Sequence, residues 1–348
     1  MNKIIPMLLL SLITLGCKSD ASMNKESKTI LSVKVGSGTD LFSIRTEPKP
    51  NNKTIKRGVF RYLSNGKWKF LDGRGAKDIA TTKKKVYIIK DVKNKTGKIV
   101  KNAVLEMAGE SKWKFIDGRG AKKLHVCDNT LYSIRDVIKK DGSKLNNVVY
   151  KYNSIGEWEY LGGGGATEIH SYKNELYILR TYKNINSAVY KFAKNNKWLF
   201  LDGRGSKKIV GLDSGLYSLG DIKNKSGQVI RNVVQKFDGK GNWQFLDGRG
   251  SIDIAGQNGQ LFSIREIKNK SKKIGLNSVY RYNYKTKKWD CLGGDGSNQI
   301  LCVNNSLYSL RDVKDESGKK IKSQLYLFDK NKWRNLGTSN IITLNSIR

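Results

Sequence analysis

The chain has 348 residues, 38% of them hydrophobic, and carries 66 Lys+Arg against 30 Asp+Glu for a net charge of +36. Only 3 Pro stand against 35 Gly, which argues against a Pro-rich disordered chain and for many tight turns, while 16 Tyr, 10 Phe and 7 Trp can build a core. The charge draws anionic partners such as nucleic acid, acidic lipid head groups or acidic glycans, unless it only solvates Lys- and Asn-rich loops.

Residues 1–16 read MNKIIPMLLLSLITLG, with Lys3 ahead of an apolar run at 4–15. That run is too short to span a bilayer, which takes about 20 apolar residues. Leu15, Gly16 and Cys17 follow it. The arrangement resembles a bacterial lipobox, although Thr14 stands where Leu is usual. The resemblance implies a lipoprotein signal over 1–16, cleavage before Cys17 and acylation of that residue, with several acyl chains giving stable anchoring. Residues 17–28 are then the lipidated Cys and a polar tether, and residues 29–348 the folded domain. Lys18 after the Cys, rather than Asp, implies the outer membrane by analogy with enteric sorting.

Beyond the tether the chain repeats. Its seven Trp, at 68, 113, 158, 198, 243, 289 and 333, are spaced by 45, 45, 40, 45, 46 and 44 residues. A second series runs in phase: LFSIR at 41, VYIIK at 86, LYSIR at 131, LYILR at 176, LYSLG at 216, LFSIR at 261 and LYSLR at 307. A third reads VFRY at 59, VYKY at 149, VYKF at 189, VYRY at 279 and LYLF at 325, with degenerate copies at Val104 and Val234. A fourth, weaker run places an apolar anchor seven residues before each second-series segment, at Ile79, Leu124, Ile169, Ile209, Ile254 and Ile300. Alternating Tyr, Phe, Ile and Val between turn residues predicts strands, and no stretch keeps a helical period. Four antiparallel strands per unit, seven times over, predict an all-β fold: a seven-bladed β-propeller of four-stranded antiparallel blades. The strands are labelled A (Ile79-like, innermost), B (LYSIR-like), C (VYKY-like) and D (the Trp strand). Strand A of the first unit is expected near residues 31–35. Residues 341–344 offer a further strand for closing the ring, and which terminus does so stays open.

The pattern W-x-F-L-x-G-x-G, then I, L-Y-S-I-R, V-Y-K-Y and W, resembles tectonin/tachylectin-type propeller repeats. The Tyr282-to-Trp289 spacing is also similar to kelch repeats, with Arg-Asp in place of their Gly-Gly pair. The resemblance covers roughly residues 29–348 and implies the fold. Tachylectin-like members bind N-acetylated sugars, but their sugar-binding residues do not map onto this chain one by one, and fold alone does not carry function.

Antiparallel order A-B-C-D puts the D–A and B–C connections on one face. The D–A connections read LDGRG at 71, IDGRG at 116, LGGGG at 161, LDGRG at 201 and 246, and LGGDG at 292. The B–C connections are long and basic, as in KDVKNKTGKIVKN from Lys90. Gly and Asp suit a tight turn. Arg74, Arg119, Arg204 and Arg249 are not needed for one, and guanidinium favours planar anion contacts, so they are the candidate partner-binding face. The repeated Trp is expected to pack between blades rather than stack on sugar.

Cys291 and Cys302 could pair outside the cytoplasm, Cys127 has no evident partner, and His125 and His170 occupy equivalent positions in neighbouring units. Zinc spacing, nucleophile–base signatures, a P-loop and a dinucleotide fingerprint are missing from the sequence, so no metal, no cofactor and no enzyme is expected. The function expected is a membrane-anchored protein-interaction scaffold of the cell envelope whose partners are envelope proteins. It resembles, in general plan, the propeller lipoprotein of the outer-membrane β-barrel assembly machinery. The alternative is a surface-displayed lectin-like adhesin binding acidic glycans. Nucleic acid is disfavoured by export.

Overall fold

A computed structural model of the chain describes residues 32–35, 41–48, 54–63, 67–82, 84–182, 185–193, 195–203, 205–224, 226–246, 250–266, 277–303, 305–316, 320–339 and 344–345. Seven antiparallel four-stranded blades form a ring, the β-propeller that the repeat predicts. Blade 1 consists of Ser32–Val35, Leu41–Pro48, Thr54–Tyr62 and Trp68–Phe70. Blade 2 is Asp78–Thr81, Val86–Lys93, Ile99–Met107 and Trp113–Asp117; blade 3 is Ala121–Cys127, Thr130–Ile138, Lys144–Tyr152 and Trp158–Gly162. Blades 4 to 6 start at Ala166–Tyr172, Ser206–Leu212 and Ser251–Gln257, and blade 7 runs from Ser297–Val303 to Lys332–Ser339. The first strand of each blade contacts the first strand of the next, which makes A the inner strand.

Blades are sandwiched between neighbours, so strand B is buried on both faces rather than alternating in and out. In blade 2, Val86, Tyr87, Ile88 and Ile89 are all buried. Val86 and Ile88 pack with Phe42, Ile44 and Val59 of blade 1, whereas Tyr87 and Ile89 pack with Leu124, Val126 and Leu131 of blade 3. Each fully buried aliphatic side chain contributes about 1.5–3 kcal/mol. The inner-strand anchors Ile79, Leu124, Ile169, Ile209, Ile254 and Ile300 are all buried. The Ser of LYSIR is buried too and pairs with the Ser that opens strand A: Ser218 with Ser206 at 2.6 Å, Ser263 with Ser251 at 2.8 Å and Ser309 with Ser297 at 2.6 Å.

Five of the seven Trp staple successive blades, whereas the indole nitrogens of Trp68 and Trp158 make no hydrogen bond among the described residues. Trp113 Nε1 donates to the Leu71 carbonyl of the preceding blade, and Trp198, Trp243, Trp289 and Trp333 donate likewise to Leu161, Leu201, Leu246 and Leu292. At those five positions the indole is joined to the preceding blade by a specific hydrogen bond.

Ring closure takes a form the sequence left open. Neither terminus completes a blade, because every blade is one contiguous run of chain. Instead Leu344–Asn345 adds to blade 1 in parallel, with Val33 opposite Leu344 and Lys34 opposite Asn345. This short strand also touches the inner strand of blade 7, so it fills the inner seam between the first and last blades. Leu41 packs with Leu301, Val303, Leu310 and Leu325 across the same junction.

Candidate interaction face

The D–A turn is shaped by its backbone. In the first, Asp72 and Gly73 take φ of 63° and 66°; in the fifth-blade entry, Asp202 and Gly203 take 64° and 62°. A Cβ on Gly73 would lie 2.6 Å from Val59 Cγ2, so the turn lies against its own blade at a distance only glycine allows. Gly75 N–H donates to Lys56 O and Gly205 N–H to Ser187 O, which ties the turns to the start of strand C. The D–A turns and B–C loops thus share one face.

Two of the four candidate arginines fall within the described residues. Arg74 Nε lies 2.7 Å from Asp72 Oδ1 and Arg119 Nε 2.8 Å from Asp117 Oδ1, each with about 60% of its side chain exposed. The Asp of each turn braces its own Arg through Nε and leaves the terminal nitrogens facing outward with no hydrogen bond among the described residues. Arg204, Arg249 and Cys17 lie outside the described residues.

A motif that the sequence reading passed over organises the same face. Lys77 Nζ bonds Asp91 Oδ1 at 2.6 Å and Asn102 Oδ1 at 2.5 Å. Lys122 does so with Asp136 and Asn147, and Lys207 with Asp221 and Asn232. The Asp also accepts the Asn backbone N–H, and each Asn sits at positive φ, so the triad pins the bulge where strand B enters its loop. The spacing is visible in sequence: Lys, then Asp fourteen residues on, then Asn eleven later. These lysines are paired, so the outward positive charge comes from the loop tips and the turn arginines.

Burial opposes ionisation of Asp136, but hydrogen bonds from Lys122, Lys144 and the Asn147 backbone outweigh it and hold its pKa at about 2 against 3.8. A depressed carboxylate contributes stability that is complete above its unfolded pKa and lost as pH falls through the folded one. The wild type should therefore lose thermal stability between about pH 4 and pH 2 more steeply than Asp136→Asn. Parallel pH–melting curves for the two proteins would contradict this.

Another arginine set is internal. The Arg of LYSIR lies under the D–A turn of the preceding blade. Arg135, 1% exposed, is 4.5 Å from the Tyr150 ring centroid and 4.2 Å from that of Trp158, and it forms an ion pair with Asp117. Arg45 lies 3.6 Å over Trp68 in the same way. Here the guanidinium is core, stacked as a cation on aromatic faces.

Around the channel, the residue before five of the six anchors alternates in charge, Asp78, Lys123, Glu168, Lys208 and Asp253, and the uncharged Gln299 precedes the sixth. Lys123 pairs with Glu168, and Lys208 Nζ lies 2.6 Å from Asp253 Oδ1. His125 and His170 do come together, ring centroids 6.5 Å apart, with His125 Nε2 3.2 Å from Ser171 Oγ. Burial, then the charges of Lys208 and Lys123, push His170 down to about 3, so it is neutral. No group of three or more potential metal ligands occurs among the described residues. Cys127 and Cys302 are buried and Cys291 is exposed, and none of the three forms a disulfide, so Cys291 and Cys302 are not bridged.

The opposite face carries a groove of about 880 Å³ between blades 4 and 5, lined by Tyr172, Glu175, Tyr177, Lys191, Lys236 and Gln244 among others. Glu175 pairs with Lys191 at 2.6 Å and accepts the Tyr177 hydroxyl at 2.7 Å.

The fold and these faces define a seven-bladed propeller. No family model and no curated protein matches the chain. Solved structures do. The β-propeller domain of the trilobed protease from Pyrococcus furiosus, described as having an open velcro topology, aligns over 90% of this chain and 97% of its own at TM-score 0.66 and 12% identity. The uncomplexed acylaminoacyl peptidase of Pyrococcus horikoshii aligns over 90% of this chain at TM-score 0.65 and 11% identity, and the chain spans about half of that protein's length, 53%. The GH74 xyloglucanase of Xanthomonas campestris aligns over 89% of this chain and 52% of its own at TM-score 0.54 and 11% identity. At such identities the likeness is one of fold. It nevertheless corrects the expectation that the chain is no enzyme: propellers similar to it occur in peptidases and a glycosidase.

Proposed function

We propose that the chain is a lipid-anchored protein of the cell envelope, held at the outer membrane by Cys17, whose propeller is an interaction scaffold for an anionic envelope protein. One observation carries the reading: the D–A turns and the Lys-rich B–C loops share a face on which Arg74 and Arg119 are braced by neighbouring carboxylates, with their terminal nitrogens outward. Preformed, outward guanidinium forks suit carboxylate recognition. The lipobox-like segment supplies the anchor, and the tectonin- and kelch-like repeat supplies a rigid frame. No helix among the described residues is long and apolar enough to cross a membrane. Affinity purification from cross-linked intact cells, without added glycan, should recover envelope proteins whose yield falls as salt rises. Cys17→Ser should move the chain from the membrane to the soluble fraction. Recovery of no envelope protein, or membrane retention of that variant, would overturn the proposal.

A second reading, a surface-displayed lectin-like adhesin for acidic glycans, draws on the groove between blades 4 and 5, where tyrosines flank lysines and a carboxylate. Protection of the chain from protease added to intact cells would exclude it.

A further inference from the structure

The chain enters the propeller on one particular face. In blade 1, Val35 pairs with Leu41 beside the A–B connection, and Ser32 pairs with Ile44 towards the other end of the strand. Strand A therefore begins on the face of the D–A turns and B–C loops. Ser32 lies fifteen residues beyond Cys17. Fifteen residues span at most about 50 Å, so a lipid on Cys17 holds that face nearest the bilayer in which it is anchored.

The same face carries a feature that neither the turn arginines nor the Lys-Asp-Asn triads require. The last paired residues of three B–C hairpins join a lysine to a β-branched aliphatic: Lys93 opposite Ile99 in blade 2, Ile138 opposite Lys144 in blade 3 and Lys223 opposite Val229 in blade 5. Ile99, Ile138 and Val229 are 57%, 75% and 48% exposed. The turns beyond them are ordered. The N–H groups of Asn94, Lys139 and Asn224 donate to the carbonyls of Lys98, Ser143 and Gln228, and the Asn94, Asp141 and Asn224 side chains accept further turn N–H groups. Each aliphatic is thus held at a preformed tip. Exposed lysines stand beside them, Lys95 and Lys98 in blade 2 and Lys139 and Lys140 in blade 3. The carboxylates at the base of these hairpins are matched within the blade, since Asp91, Asp136 and Asp221 pair with Lys77, Lys122 and Lys207.

One exposed aliphatic is ordinary on a protein surface. Three at the ends of equivalent hairpins, each beside lysines and on the face where the tether enters, suit a membrane interface. There ammonium groups meet anionic head groups while aliphatics enter the acyl boundary beneath them. We propose that the B–C hairpin tips of blades 2, 3 and 5 dock on the anionic head groups of the bilayer that holds Cys17, with Ile99, Ile138 and Val229 entering the interface. The inference rests on the lipid anchor proposed above and adds to that reading: a partner met by this face is a protein of the same membrane.

The test uses the lipidated chain in vesicles of phosphatidylethanolamine and phosphatidylglycerol that include a lipid spin-labelled at its head group. A hydroxycoumarin residue is placed singly at Lys140, at the tip of blade 3, or at Ser154, in the turn at the opposite end of that blade; both are exposed. Quenching at position 140 should exceed that at 154 at least about threefold. It should fall by about half or more in the double variant Ile99→Asn with Val229→Asn. It should also fall in phosphatidylcholine vesicles, where the anionic head groups are gone. Ile155→Asn, which removes a 77% exposed aliphatic from the opposite face, should leave it unchanged. Equal quenching at 140 and 154, or undiminished quenching in the double variant or in phosphatidylcholine, would overturn the proposal. Any of these in a chain that floats with the vesicles leaves the anchor and the scaffold standing. A chain that does not float with them refutes the anchor and the docking together.

Discussion

Asp253→Ala should cost about 3 kcal/mol of unfolding free energy, read from denaturant titration of the full chain. Asp253 is 7% exposed and joins three blades. Its Oδ1 accepts the Ile254 N–H at 2.9 Å and lies 2.6 Å from Lys208 Nζ of blade 5, while Oδ2 accepts the Ile300 N–H of blade 7 at 2.9 Å. Removing the carboxylate strands two backbone donors in the inner ring, each costing about 1–3 kcal/mol when buried and unsatisfied. Lys208 adds little to that loss, since its side chain is 31% exposed and reaches water. Asp78 does the same work between blades 2 and 3 by accepting the Leu124 N–H at 2.8 Å. A loss below about 1 kcal/mol for Asp253→Ala would contradict this account of how inner strands are locked.

The second large effect belongs to Asp117→Ala, expected to destabilise by about 3–5 kcal/mol because it leaves the buried Arg135 charge without its carboxylate. Replacing both partners separates charge from shape. The double variant Asp117→Ala with Arg135→Met should recover much of the loss, since an apolar pair of similar volume can match a buried ion pair. Asp72→Asn, at a turn whose Arg74 is 61% exposed, should cost less than about 1 kcal/mol. If Asp117→Ala and Asp72→Asn melt alike, the internal role of the LYSIR arginine fails.

Much of the architecture is legible in the sequence, because a propeller repeats its packing. The Trp, the LYSIR-like segment and the inner anchor recur since each blade presents the same two faces to its neighbours. Three features resist such reading. Leu344–Asn345 is too short to carry a periodic pattern, and its parallel pairing with Val33 and Lys34 exists only once the ring is closed. The arginines of LYSIR and of DGRG are identical in type, yet one is core and the other surface. Only the sandwiching of strand B by two blades decides that. The Lys-Asp-Asn triad was written in plain spacing, but it links residues 25 apart across a loop, which no strand period reveals.

The central claim is that the face bearing the D–A turns and B–C loops meets the partner. Benzoylphenylalanine placed singly at Lys98 or Lys139 on that face, and at Asn129 or Asn174 in A–B turns on the other, would test it by photo-crosslinking in intact cells. Adducts with an envelope protein from positions 98 and 139, and none from 129 and 174, are the expected result. Adducts from 129 and 174 alone would place the partner on the opposite face and contradict the account.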